Sequence, residues 1–213
     1  MIWLKDKSGF RKHIILDDIC YLTPKISDLN IVTSSYKNIK FPSLKQIENV
    51  LENMPNTTDI DKRNRDFISF LAISGSRIEA AISCPISVID IKKQIFIQDT
   101  RLMKTKFRKI IYTAFFPVGS KIINNFINWY NYLTNDLGFS ICDPLFPKEI
   151  IKNNQMNIFQ NMGITYKPEL YKTTNKMRYI VQKSFKDAKL YEYSPHSFRH
   201  MLAHIGEKIC KSP

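Results

Sequence analysis

Cysteine is scarce. Cys20, Cys84, Cys142 and Cys210 are scattered over 213 positions with no C-x-x-C pair. That spacing argues against a zinc ribbon and a disulfide framework, and predicts reduced, mostly buried thiols in a cytoplasmic protein. Long apolar runs are missing too: the strongest, residues 67–74, falls far short of the roughly 20 residues that span a bilayer. Residues 1–10 carry charges where a secretory leader would hold an apolar core, so no signal peptide is expected. There is no internal repeat. Negative charge is also in short supply, with 19 Asp and Glu against 32 Lys and Arg, a net +13. This excess favours a polyanionic partner, nucleic acid first and an acidic membrane surface second, and charge alone does not separate the two.

What is present is enough for a real core, with 44% of residues apolar and 12% aromatic. Residues 1–36 are weakly patterned; 17–22 could form a short helical piece, and a loop runs from Pro24 to Lys40. Ser43 and Gln46 form a capping-box pattern ahead of the helical stripe Ile47, Val50, Leu51 and Met54, which Pro55 ends. A second helix is expected from Thr57 or Thr58 to Ser74, with Phe67, Phe70 and Leu71 on one side and Gly75 as its stop. Residues 77–83 read as a short helix broken by Pro85. Strand character follows at 88–91, 94–98 and 107–116. The intervening stretch holds Arg101, Lys104, Lys106, Arg108 and Lys109, so the pattern predicts a long β-hairpin with a basic tip. The plainer alternative is charge that keeps an edge strand from aggregating. Residues 120–137 form a strongly amphipathic helix, 148–171 are polar and irregular, and 173–188 form another helix. The result is an α+β chain, mostly helical.

The stretch Ser194-Pro195-His196-Ser197-Phe198-Arg199-His200 reads as a helix start, with Ser194 as cap and Pro195 at the first helical position. His196 and Arg199 lie three residues apart and share a face, beside an end that already favours anions. An imidazole and a guanidinium there make a candidate phosphate site. Two other features join it: Ser74-Gly75-Ser76-Arg77-Ile78-Glu79, and the basic hairpin at 104–109.

Arg, then Lys, then His-x-x-Arg, in this order, resembles the tyrosine recombinases, the phage and transposon integrases, over residues 41–213. Family members read T-G-x-R-I-S-E at the first motif, which residues 74–79 largely match. Asp90 and Leu145-Phe146 also fall where the family pattern puts them. The resemblance implies the recombinase catalytic fold with a small antiparallel sheet. It implies strand cleavage by tyrosine attack on a phosphodiester, leaving a 3′-phosphotyrosine and a free 5′-hydroxyl, with no cofactor. Arg77 and Arg199 would bind the non-bridging oxygens in a planar, bidentate way. Lys106, with Lys104 as its rival, would protonate the leaving oxygen. His196 would assist proton transfer or hold the phosphate. Arg101, Lys104, Arg108 and Lys109 would touch DNA.

Two departures stand out. Ala80 replaces the acidic residue usual three positions after the first Arg, and no Tyr follows the His-x-x-Arg helix through Pro213. The expectation is an incomplete catalytic domain at 41–213, preceded at 1–40 by a remnant of a DNA-clamping domain and a linker. Its partner would be double-stranded DNA and not a membrane. The parent would be tetrameric on DNA and the fragment monomeric. A catalytically inactive regulatory DNA-binding module is the alternative; an RNA-binding or membrane-surface protein rests on charge alone.

Overall fold

A computed structural model describes residues 39–105, 109–149 and 168–209, and from Lys40 onward these belong to one compact unit. The expectations for residues 1–38, for Lys106, Phe107 and Arg108, for most of the irregular stretch at 148–171, and for Cys20 and Cys210 lie outside the described residues.

The chain is built around one helix. Helix α1, Leu44–Asn53, starts at the expected capping box: Gln46 N–H donates to Ser43 Oγ at 3.2 Å and Ser43 N–H to Gln46 Oε1 at 2.8 Å. Helix α2, Asp59–Ser74, is capped by Thr58 through the same reciprocal pattern with Asp61. Asp59 and Asp61 place negative charge at its positive end. Every residue from Asp66 to Ser74 is buried, so α2 runs through the core enclosed on all sides and not on the one face expected. The cause is its composition: Phe67-Ile68-Ser69-Phe70-Leu71-Ala72-Ile73 has no polar side to leave in water. Phe70 packs against Phe96, Phe126 and Phe146, with ring centroids 5.1–5.4 Å apart. Each fully buried side chain of this size contributes about 1.5–3 kcal/mol.

After the short helix α3, Ile78–Ser83, comes a three-stranded antiparallel sheet. Its strands are β1 (Ile89–Asp90), β2 (Ile95–Gln98) and β3 (Ile111–Ala114), in that order, with Phe96 opposite both Ile89 and Thr113. The expected hairpin is β2–β3. Its second strand ends before the predicted Phe116, because beyond Ala114 the chain leaves the sheet: Phe116 N–H donates to Ile73 O at 2.8 Å, docking on the end of α2. Asp90 closes the β1–β2 turn, accepting from Lys93 N–H at 3.0 Å.

Helix α4, Ser120–Asn131, packs along α2 and ends in a π-helical turn, Tyr132–Asp136, where one α-helix to Leu137 was expected. There the Thr134 hydroxyl donates to Tyr130 O at 3.1 Å, and Leu137 N–H reaches back five residues to Tyr132 O at 3.0 Å. Helices α5, Asn175–Asp187, and α6, Pro195–Ile209, complete the fold. Cys84 is buried, and burial pushes its thiol up, but Cys142 is exposed, against the expectation of mostly buried thiols. Among the described residues no helix is long and apolar enough to cross a membrane.

One carboxyl in this core is set at odds with neutral pH. Asp66 is buried beside a cavity of about 240 Å³, near Arg65 Nε and Asn125 Nδ2, which have no hydrogen-bond partner among the described residues. Burial, partly offset by the Arg65 charge, raises Asp66 from an ordinary 3.8 to about 8. The folded state therefore keeps a proton that the unfolded chain releases above about pH 4. Its stabilising effect is complete below pH 4 and is lost as pH rises through 8. Asp66→Asn should flatten this dependence and raise stability at pH 8, by up to several kcal/mol, in urea titrations at pH 5 and 8. Equal changes at both pH values would assign Asp66 a solvated carboxylate.

Candidate functional site

The turn that ends α2 is where two distant motifs meet. Gly75 adopts φ +54°, and a Cβ there would stand 2.8 Å from Leu202 Cδ1 on α6. Glycine accepts the left-handed backbone without strain and leaves room for this close approach. The gap it leaves lets α6 settle on the turn, and Arg199, three residues before Leu202 on the same face, donates from Nη1 to Gly75 O at 2.7 Å. Beneath, the Ser74 hydroxyl donates to Phe70 O at 2.6 Å and accepts from Ser76 N–H at 3.2 Å. The turn is thus fixed from both sides. Arg77 follows as the extended residue ahead of α3 and makes no ion pair with a described carboxylate.

Arg77 and Arg199 line the same two cavities. One, of about 470 Å³, is also bounded by Ser76, Glu79, Arg178, Gln182, Ser194 and His196; the other, of about 380 Å³, opens toward Gln98, Thr113, Phe116 and Gly206. Pro195 is the first residue of α6, as expected, so the helix's amino-terminal end borders the larger cavity. Ser194 does not cap it in the expected way: its hydroxyl lies 3.4 Å from that of Ser197.

The electrostatics are one-sided. Burial, then the Arg77 charge, pulls the Arg199 guanidinium below its ordinary value. Burial lowers His196 as well, followed by the charges of His200, Arg199 and Arg77. The His196 and His200 rings stand edge to face with centroids 4.8 Å apart. No carboxylate offsets either shift. Cations held together with Glu79 as the one carboxylate in the cavity lining are relieved by an incoming anion, and two guanidiniums offer the paired donors that a phosphate's oxygens accept.

The other expected residues sit elsewhere. Arg101 and Lys104 line a separate cavity of about 720 Å³ with Ser83, Pro85, Cys142 and Tyr171. Lys104 N–H donates to Ser83 Oγ at 3.0 Å, tying the hairpin loop to α3. Arg101 is engaged by Asp99 at 2.6 Å, which holds that carboxyl at about 2, so much of its charge is already matched. Lys109 is exposed before β3. Lys106 and Arg108 lie outside the described residues. Sequence reasoning quoted Ser76 in the first motif without giving it a role, and gave none to Arg178 or Gln182. The four-residue spacing of Arg178 and Gln182 was the available signal.

No family model matches this sequence and no curated protein sequence matches it. Among solved structures, the crystal structure of XerA recombinase superposes with a TM-score of 0.54 at 16% identity, covering 82% of this chain and 51% of that one. An integrase from mycobacterium phage Brujita overlaps more weakly, with a TM-score of 0.45 at 11% identity over 78% of this chain and 43% of the other, and no inference is built on it. This chain spans about half the length of the XerA recombinase chain it matches. The mostly helical α+β fold with its small antiparallel sheet is one that it shares with the XerA recombinase.

Proposed function

We propose that this chain is catalytic-domain sequence of a tyrosine recombinase and that it binds duplex DNA through the Arg77–Arg199 cluster. The observation that carries the reading is the convergence of Arg77 with His196 and Arg199, from two distant points in the chain, on one cavity of about 470 Å³. The XerA-like fold supports it. In this reading Arg77 and Arg199 grip the non-bridging oxygens of one phosphodiester, and His196 holds the phosphate or relays a proton. Lys106 protonates the leaving 5′-oxygen, and Arg101, Lys104, Arg108 and Lys109 touch the flanking backbone. Residues 41–213 are the catalytic part; 1–40 belong to a preceding DNA-clamping segment and linker. The reaction of the intact enzyme is cleavage and rejoining through a 3′-phosphotyrosine, by a tetramer on DNA and without a cofactor. The second reading, an inactive DNA-binding regulatory module, is favoured by the absence of any tyrosine from the described lining of either Arg77 cavity.

Both readings require salt-sensitive duplex binding. Affinity should fall on the order of a thousandfold between 50 and 200 mM salt if six or more phosphates are contacted. Arg199→Ala should weaken binding about ten- to a hundredfold, the loss of one charge-assisted contact. Fluorescence anisotropy with a labelled duplex measures both. Salt-independent affinity, or an Arg199→Ala chain that binds as tightly as the original, would overturn the proposal.

A further inference from the structure

The 470 Å³ cavity holds more cation than one phosphodiester needs. Arg77, Arg178 and Arg199 all line it, against a single carboxylate, Glu79. Three positive charges less one negative leave +2, with His196, lowered by burial, neutral. A phosphodiester carries one negative charge, and Arg77 with Arg199 already supplies its paired donors. The volume falls in the roughly 300–1,000 Å³ range of ligand clefts, well beyond one phosphate group.

Arg178 stands apart from its neighbours on α5. Lys176 is paired with Glu149, Lys183 with Asp187 and Lys186 with Glu192, whereas the Arg178 guanidinium has no partner among the described residues. Gln182 lies one helical turn on and lines the same cavity. At its wall the Ser76 hydroxyl, in a residue 2% exposed, also has no hydrogen-bond partner among the described residues. Buried hydroxyls are nearly always paired, and an oxygen-rich occupant of the cavity would supply this one with an acceptor.

We infer that Arg178 binds a second phosphate, adjacent to the one gripped by Arg77 and Arg199, so that the cavity takes two consecutive phosphates of one nucleic-acid strand. The inference rests on the DNA-binding reading above. Arg178 acts here as a positioning residue: it sets the register of the strand, and the phosphate held by Arg77 and Arg199 follows from that register. Gln182, able to donate and accept, serves the sugar or phosphate between.

The test compares duplex affinity across a salt series for the 213-residue chain and three variants, each checked for an unchanged melting curve. Arg178 is exposed, so its replacement leaves the core intact. Arg178→Ala should flatten the slope of log affinity against log salt by about 0.9, the value of one lost phosphate contact, and weaken binding about tenfold at 100 mM salt. Arg178→Lys should keep the slope. Lys183→Ala removes one charge from the same helix outside the cavity and should leave the slope unchanged. If Arg178→Ala keeps the original slope, or matches Lys183→Ala, the second-phosphate site is refuted while the DNA reading stands. If the original chain binds duplex without salt dependence, the underlying reading fails and the inference falls with it.

Discussion

Glu149→Ala should lower the stability of this domain by about 3–5 kcal/mol, the cost of stranding one member of a buried ion pair. Arg63 is 0% exposed. Its Nη1 donates to Glu149 Oε2 at 2.8 Å and to Pro147 O at 2.9 Å, and its Nη2 to Asn64 Oδ1 at 2.8 Å. The Tyr171 hydroxyl donates to the same carboxylate, and Lys176 pairs with it from α5. One acidic side chain therefore joins the start of α2, the loop after Phe146, Tyr171 and the helix that carries Arg178. Without it the Arg63 guanidinium, already depressed by burial, keeps its desolvation penalty and loses the attraction that offset it. The expected fall in melting temperature is on the order of 10 °C. The double variant Arg63→Met, Glu149→Leu should recover most of the loss, because an apolar pair of similar volume removes both charges at once. Urea unfolding of the three variants decides it. A loss below about 1 kcal/mol for Glu149→Ala would mean that water reaches Arg63 and the network is a surface pair.

The second large effect is chemical. The 213-residue chain should bind a nicked suicide duplex yet form no covalent protein–DNA adduct. Cleavage of this type needs an activated hydroxyl held in line with the scissile bond. Two tyrosines stand close in sequence to the His-x-x-Arg helix. Tyr193 is buried and packs edge to face on Phe185 at 5.2 Å; Tyr191 lies against Tyr193 and under Lys40. Neither lines a cavity bounded by Arg77. Arg77, His196 and Arg199 can bind and polarise a phosphate but supply no oxygen nucleophile. A positioned intramolecular group exceeds bulk attack by an effective molarity of about 10⁵ or more, so the adduct should fall below detection in denaturing electrophoresis. A shifted band that survives denaturant would sink this expectation, and its loss in Tyr191→Phe or Tyr193→Phe would identify the residue that reached the site.

How much of this was legible beforehand follows from the range of the interactions. Helix starts are local: the Ser43–Gln46 cap, read from residues three apart, is present, and the second helix begins after Thr58, within the expected start. The Gly75 stop, the β2–β3 hairpin and Pro195 at a helix start are equally short-range. The motif order pointed to Arg77, His196 and Arg199, which the fold brings to one cavity.

The linear chain does not carry the partners that lie far along it. Arg63 stands among the polar residues early in α2, and its carboxylate is 86 residues away. The Gly75–Leu202 approach and the Arg199–Gly75 hydrogen bond join segments more than 120 residues apart, so only the folded chain shows why Gly75 must lack a side chain. Arg178, Lys183 and Lys186 are all basic positions of one helix in the sequence; packing of α5 turns the one toward the cavity and leaves the others to nearby acids. Local chemistry therefore set the elements and the types of group at the site. Tertiary packing decided which charges share a cavity, because that depends on distances the sequence order does not contain.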